Sequence, residues 1–214
     1  MTMAPIPKIL IVPTIAVCAF VAFRAFGARR KIVNLTLSAL FFGWIGDILL
    51  IGPGDLYFLT GMVSFLIGHI FYVRCFLTLA HTGEPMLRAG GRRLLLILYL
   101  VVLAAIAGLV IRFSPQGFLF VPVLLYGFML TTLIFSTIYA YGCRKIDWLL
   151  LCTLGAVLFT FSDALIGVGS FTEIRFALRE PLIMPTYIAA QILLVAGIVL
   201  TERRLFLRDA VPAT

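Results

Sequence analysis

The sequence predicts an all-α protein: a polytopic transmembrane helical bundle of about seven spans, with the N-terminus outside and the C-terminus cytoplasmic. Three observations predict it. Of 214 residues, 63% are hydrophobic and 12% charged, against about 45–50% and about 25% in soluble domains. Apolar runs of about 20 residues, long enough to cross a bilayer as helix, recur from end to end. Arg and Lys collect in the short segments between those runs. The whole chain, 1–214, reads as a single transmembrane domain with no room for a separate soluble one.

The spans follow in order. The first is Ile6–Phe26, interrupted by Pro13. A cleaved signal peptide has a shorter apolar core and a small-residue cleavage site. This run continues to Phe26 and ends in Arg29-Arg30-Lys31, so it reads as an uncleaved span. The second is Ile32–Ile51, closed by Gly52-Pro53-Gly54, residue types that continue a helix poorly. The third is Leu56–Ala80, followed by a polar loop with Gly83-Glu84-Pro85 and Gly90-Gly91. The fourth, Leu94–Ile111, ends at the turn Ser114-Pro115-Gln116-Gly117. The fifth is Phe118–Tyr141, with Pro122 inside, and the sixth is Asp147–Gly169. An outer loop, Ser170–Pro181, leads to the seventh, Leu182–Thr201, which contains Pro185.

Charge sets the orientation. Arg29, Arg30, Lys31, Arg88, Arg92, Arg93, Arg144, Lys145, Arg203, Arg204 and Arg208 fall on one side, and only Lys8, Arg112, Arg175 and Arg179 on the other. That bias makes the first side cytoplasmic. It also explains the net charge of +8 without a nucleic-acid partner, since the charges sit in loops between spans. A small, loop-poor chain of this kind fits a bacterial inner membrane. Cys18, Cys75, Cys143 and Cys152 form no C-x-x-C pair and read as small packing residues, not as a disulfide or a thiolate metal site.

Against this apolar background the acids stand out. Asp47 lies in the second span after Gly46, and Asp163 in the sixth after Ser162. A carboxylate at membrane depth costs about 2.5–3.5 kcal/mol on insertion scales. Both spans run from inside to outside, which places both acids in the outer half, within about one helical turn of the same level. The patterns Asp47-Ile48-Leu49-Leu50 and Asp163-Ala164-Leu165-Ile166 fit a parallel internal duplication as well as chance.

Further polar groups share these spans. Phe65, His69 and Tyr72 fall on one helix face, beside a small-residue face of Gly61, Ser64 and Gly68. His69 is a candidate to orient or protonate one of the acids, or a buried histidine bonded to a carbonyl. Tyr126 lies in the fifth span, and Tyr187 and Gln191 lie one turn apart in the seventh. With Pro13, Pro122 and Pro185 breaking outer helix halves, the expectation is a polar pocket opening toward the outer leaflet. The competing readings of the acids are a metal site and hydrogen-bonding groups with no chemical role. No H-x-x-H or H-E-x-x-H supports a metal, and none is expected, nor any other cofactor.

The motifs in order are Gly46-Asp47, Phe58-Leu59-Thr60-Gly61, Phe65-Leu66-Ile67-Gly68-His69-Ile70-Phe71-Tyr72 and Gly155-Ala156-Val157-Leu158-Phe159-Thr160-Phe161-Ser162-Asp163. This set, over about half the chain, resembles the lysoplasmalogenase family, the YhhN-like multispan membrane proteins. Members of that family are drawn with eight spans and a Lys-Pro near the start of an early one. Here Lys8 and Pro13 stand apart, and the extra N-terminal span is expected to be missing.

The resemblance implies hydrolysis of the vinyl ether bond of a lysophospholipid, a lysoplasmalogen, to a fatty aldehyde and a glycerophospho-ethanolamine or -choline. Such chemistry needs a carboxylic acid that stays protonated near neutral pH and an anion to stabilise an oxocarbenium ion. On this reading Asp47 and Asp163 divide those roles, and His69 orients or relays protons. The lean is to Asp163 as the acid, because Phe159 and Phe161 make a drier site. Lys8, Tyr72, Tyr126, Ser162, Tyr187 and Gln191 are the expected substrate-binding residues. The alternatives are a proton-coupled small-molecule or lipid transporter using the same Asp and His residues, and a non-catalytic lipid-binding or assembly protein.

Overall fold

The computed structural model describes residues 5–82, 86–113, 120–171 and 178–210, except the side chains of 5–8, 113, 168–171, 179, 180, 209 and 210. The described residues form seven helices: α1 Pro5–Phe26, α2 Arg30–Leu49, α3 Asp55–Ala80, α4 Ala89–Phe113, α5 Phe120–Arg144, α6 Trp148–Phe171 and α7 Arg179–Ala210. All seven are long and apolar enough to span a membrane.

The helices α1, α2, α3, α5, α6 and α7 contact one another in that cyclic order, with α7 returning to α1. Helix α4 packs mainly on α5, outside this ring. It leaves Leu94, Ile97, Val101, Leu109 and Ile111 more than half exposed, as a lipid-facing helix does. The succession α1–α2–α3 has the same neighbour order as α5–α6–α7, and α3 meets α5 as α7 meets α1. That is the order a parallel duplication would give.

Small residues set the closest approaches. A Cβ on Gly68 of α3 would stand 3.0 Å from the Ala39 carbonyl oxygen and 3.4 Å from the Gly43 nitrogen of α2. On Gly155 of α6 it would stand 2.9 Å from the Ala190 oxygen and the Leu194 nitrogen of α7. Backbones this near gain dispersion energy over many atom pairs, which drives helix association in a solvent as apolar as the side chains. Ser64 Oγ of α3 adds a hydrogen bond to the Phe42 carbonyl of α2 at 2.7 Å.

The loops assigned by charge to one side do share one end of the bundle. Glu202, 1% exposed, accepts from the Arg29 backbone N–H at 3.0 Å and from Arg29 Nε at 2.7 Å, and pairs with a second guanidinium nitrogen. Arg29 also donates to Thr82 Oγ1 at 2.6 Å. Arg144 donates twice to the Ala80 carbonyl, at 2.9 and 2.6 Å, and so caps α3. These contacts tie the α1–α2 junction and the C-terminal ends of α3, α5 and α7 together.

Several boundaries differ from expectation. Helix α7 does not stop at Thr201 but runs to Ala210, because Glu202 is anchored within the bundle by Arg29. Gly90 and Gly91 belong to α4 rather than to a loop. Leu87 wedges between Gly91 and Gly142, where added Cβ atoms would meet it at 2.9 and 3.3 Å, and that contact sets the start of α4. The prolines do not interrupt the helices. Pro122 is the third residue of α5, within the first turn, where its missing N–H has no intrahelical acceptor. Pro13 and Pro185 lie inside continuous helix. Pro13 frees the carbonyl of Ile9 four residues back, and the indole of Trp44 in α2 donates to that oxygen at 2.9 Å. The turn Gly52-Pro53-Gly54 is present, with Gly54 at φ 86°, a left-handed conformation that favours glycine. Gly83-Glu84-Pro85, Ser114-Pro115-Gln116-Gly117 and residues 172–177 of the expected Ser170–Pro181 loop lie outside the described residues, while the ends of that loop belong to α6, which runs to Phe171, and α7, which starts at Arg179.

Candidate active site

Asp47 stands near the C-terminal end of α2 and is 1% exposed. Its position follows from Gly46. A Cβ there would stand 2.7 Å from the Phe65 ring, so the glycine lets Phe65 of α3 lie flat against α2. Phe65 in turn meets Tyr187 of α7 edge-on, with ring centroids 6.2 Å apart. The Tyr187 hydroxyl donates to Asp47 Oδ2 at 2.7 Å.

Behind Tyr187 the hydrogen bonds continue in one direction. Gln191, one turn on in α7, donates from Nε2 to the Tyr187 oxygen at 3.4 Å. Gln191 Oε1 accepts from the Tyr72 hydroxyl of α3 at 2.8 Å. Tyr72, Gln191 and Tyr187 are each at most 5% exposed. Each therefore points its donor toward Asp47, and the carboxylate is the terminal acceptor of a buried chain. Bonds arranged head to tail in this way strengthen one another.

Asp163, in α6, is half-buried. Its Oδ2 accepts a hydrogen bond from the Tyr126 hydroxyl of α5. Each aspartate is thus held by a tyrosine from a neighbouring helix. Phe159 and His69 lie between the two pairs. Phe159 meets Tyr187 at 5.4 Å and His69 at 4.7 Å between ring centroids, and His69 meets Tyr126 at 5.8 Å. The aromatic wall is continuous from one carboxyl group to the other.

His69 is 2% exposed, and neither Nδ1 nor Nε2 has a hydrogen-bond partner among the described residues. No carbonyl among the described residues makes the bond weighed for this histidine. His81, the other histidine, bonds the Leu77 carbonyl through Nδ1 at 2.6 Å at the far end of α3.

Of the residues singled out from sequence, Asp47, His69, Tyr72, Tyr126, Asp163, Tyr187 and Gln191 come together. Ser162, wholly buried, donates to the Ile183 carbonyl at 3.0 Å and pins α6 to α7. The side chain of Lys8 lies outside the described residues. Phe159 contributes to the enclosure beside Asp163, whereas Phe161 is 45% exposed and faces outward. Residues two apart on a helix do not share a face; with Asp47 1% exposed and Asp163 half-buried, the drier carboxyl is that of Asp47, and dryness does not single out Asp163 as the acid. Sequence reasoning missed the seating of Phe65 on Gly46; its signal was the glycine beside the acid. Among the described residues, no three His, Cys, Asp or Glu side chains gather as a metal cluster.

The fold is that of an integral, multi-pass membrane protein whose polar groups converge inside the bundle. The chain belongs to the YhhN family, whose pattern matches residues 3–198. It is 32% identical over 162 residues to the mouse protein named Lysoplasmalogenase TMEM86B, covering 75% of this chain and 62% of that one. It is 32% identical over 165 residues to a Mycobacterium bovis protein named Lysoplasmalogenase, covering 75% of this chain and 59% of that one. A Mycobacterium tuberculosis protein of the same name matches over the same length. The chain thus spans about 60% of the length of these relatives. No solved structure gives a significant match.

Proposed function

We propose that this chain hydrolyses the vinyl ether bond of a lysoplasmalogen, releasing a fatty aldehyde and a glycerophospho-ethanolamine or -choline, in a bacterial inner membrane. The observation that carries the reading is the pair of tyrosine-held aspartates joined by one aromatic wall. The names of the relatives supply the substrate class.

The two environments suit different roles. Asp47 ends a chain of three donors in a row and works as the fixed anion. Asp163, although the less dry of the two, works as the acid on a different ground: the acid must be reset in every turnover, which its more open position allows. Asp163 gives its proton to the outer alkene carbon. Positive charge then spreads over the ether oxygen and its neighbouring carbon, facing the Asp47 carboxylate. Water adds to that carbon and passes a proton to Asp47, leaving a hemiacetal. Asp47 returns this proton to the departing glycerol oxygen, and Asp163 takes the hemiacetal hydroxyl proton as the aldehyde forms. One water is consumed, and both carboxyl groups end as they began. This is the division of labour of paired carboxylates in glycoside hydrolysis, applied to another oxocarbenium ion.

The test is aldehyde release from a lysoplasmalogen by the purified protein in detergent. A proton-coupled carrier, the reading favoured by the duplicate-like helix order, predicts instead pH-dependent flux in proteoliposomes with the lipid intact.

A further inference from the structure

A buried imidazole with two unpartnered nitrogens is costly, about 1–3 kcal/mol for each polar group left without a hydrogen bond. Native interiors hold few such groups, and each calls for a partner supplied from elsewhere. Among the described residues His69 has this condition at the centre of the site, between Phe159 and Tyr126. Its partner must therefore be small and neutral. A phosphate cannot enter a position 2% exposed and walled by aromatic rings without losing its hydration. A neutral imidazole offers one donor and one acceptor, and a hydroxyl group matches both.

We propose that His69 binds the free hydroxyl on the middle glycerol carbon of the substrate, and so makes the site specific for the lyso form. The inference rests on the lysoplasmalogen reading and deepens it. The middle hydroxyl is carried by the carbon next to the one bearing the vinyl ether oxygen. A side chain that holds it stands beside the reacting bond, and His69 stands between the two Asp–Tyr pairs. In an intact plasmalogen this oxygen carries an acyl chain. It then has no proton to donate, and the ester bulk meets the Phe159 and Tyr126 rings. A site built to hydrogen-bond a substrate hydroxyl rejects the analogue lacking it far more strongly than an apolar pocket rejects a missing methylene.

The experiment compares an alkenyl-glycerophosphocholine with its 2-deoxy counterpart, in which hydrogen replaces the middle hydroxyl. Kinetics of aldehyde release are measured for the wild type, His69→Phe and His69→Gln. The wild type is expected to prefer the hydroxyl-bearing substrate in kcat/KM by about 100-fold or more. His69→Phe is expected to bring that ratio to within about threefold of unity, and His69→Gln, which keeps a donor and an acceptor, to restore part of it. Equal handling of both substrates by the wild type overturns the proposal without any variant. So does a His69→Phe variant that keeps the wild-type ratio. If the wild type releases aldehyde from neither substrate, it is the lysoplasmalogen reading itself that fails.

Discussion

Tyr187→Phe isolates the link between the buried chain and its aspartate. The change keeps the ring, and with it the contacts to Phe65 at 6.2 Å and Phe159 at 5.4 Å. It removes only the hydroxyl that donates to Asp47 at 2.7 Å and accepts from Gln191 at 3.4 Å. A hydrogen bond to a charged group contributes about 1.5–3 kcal/mol, and a neutral pair about 0.5–1.5. With 1.36 kcal/mol per factor of ten, Tyr187→Phe lowers kcat/KM by about 10- to 150-fold. Tyr72→Phe, which removes the neutral bond to Gln191 at the start of the chain, lowers it by about 2- to 12-fold. The assay is fatty aldehyde release from a lysoplasmalogen in detergent, with the thermal midpoint of each variant measured beside it. The reasoning fails if Tyr187→Phe keeps kcat/KM within twofold at an unchanged midpoint. It fails equally if Tyr72→Phe is the more damaging of the two.

Other outcomes follow from the packing. Gly46→Ala places a methyl 2.7 Å from the rigid Phe65 ring and is expected to cut aldehyde release sharply, whereas Gly43→Ala meets Gln191 Nε2 at 3.5 Å and the Phe65 ring at 4.0 Å, both ordinary contacts, and is expected to keep most of it; equal effects would contradict the seating of Phe65. Glu202→Gln weakens the ties to Arg29 at the other end of the bundle, fifteen residues from Tyr187 along α7, or about 22 Å. Its thermal midpoint is expected to fall by about 2–4 °C for each kcal/mol lost, while aldehyde release per folded molecule holds; a loss of turnover at an unchanged midpoint would refute that separation. Gly155→Val drives a branched side chain into the Ala190 carbonyl and Leu194 nitrogen at 2.9 Å, and is expected to abolish folded yield in detergent, which size-exclusion chromatography reads directly.

What the sequence reveals here is governed by length and period. A run of about 20 apolar residues is its own signature, so all seven spans are visible in the order of the residues alone. Charge bias then brings the Arg29, Arg144 and Arg203 segments to one end, and the Arg29–Glu202 and Arg144–Ala80 contacts are found there. The polar residues of the site are legible too, because each is costly in an apolar span. Their connections are not. Whether Tyr187 reaches Asp47 or Asp163 depends on the rotation and register of α7 against α6 and of α3 against α2, which close approaches at Gly155 and Gly68 fix through contacts far apart in sequence. The same holds for the ends of α4 and α7. Gly90-Gly91 reads locally as a break, yet the Leu87 contact holds it helical, and Glu202 reads locally as the start of a tail, yet Arg29 draws it into the bundle. One signal for that pair was available: an acid at the end of a span, facing a loop of Arg29, Arg30 and Lys31.

The most direct test of the account is aldehyde release by the wild-type protein beside Asp47→Asn and Asp163→Asn, each shown to be folded by its thermal midpoint. Release from the wild type, reduced by at least about 100-fold in both variants as expected for removal of a general acid or base, is the predicted result. Normal turnover in either folded variant would contradict the two-carboxylate mechanism. An intact lipid with the folded wild type, across ethanolamine and choline head groups, would contradict the hydrolase itself and favour the carrier.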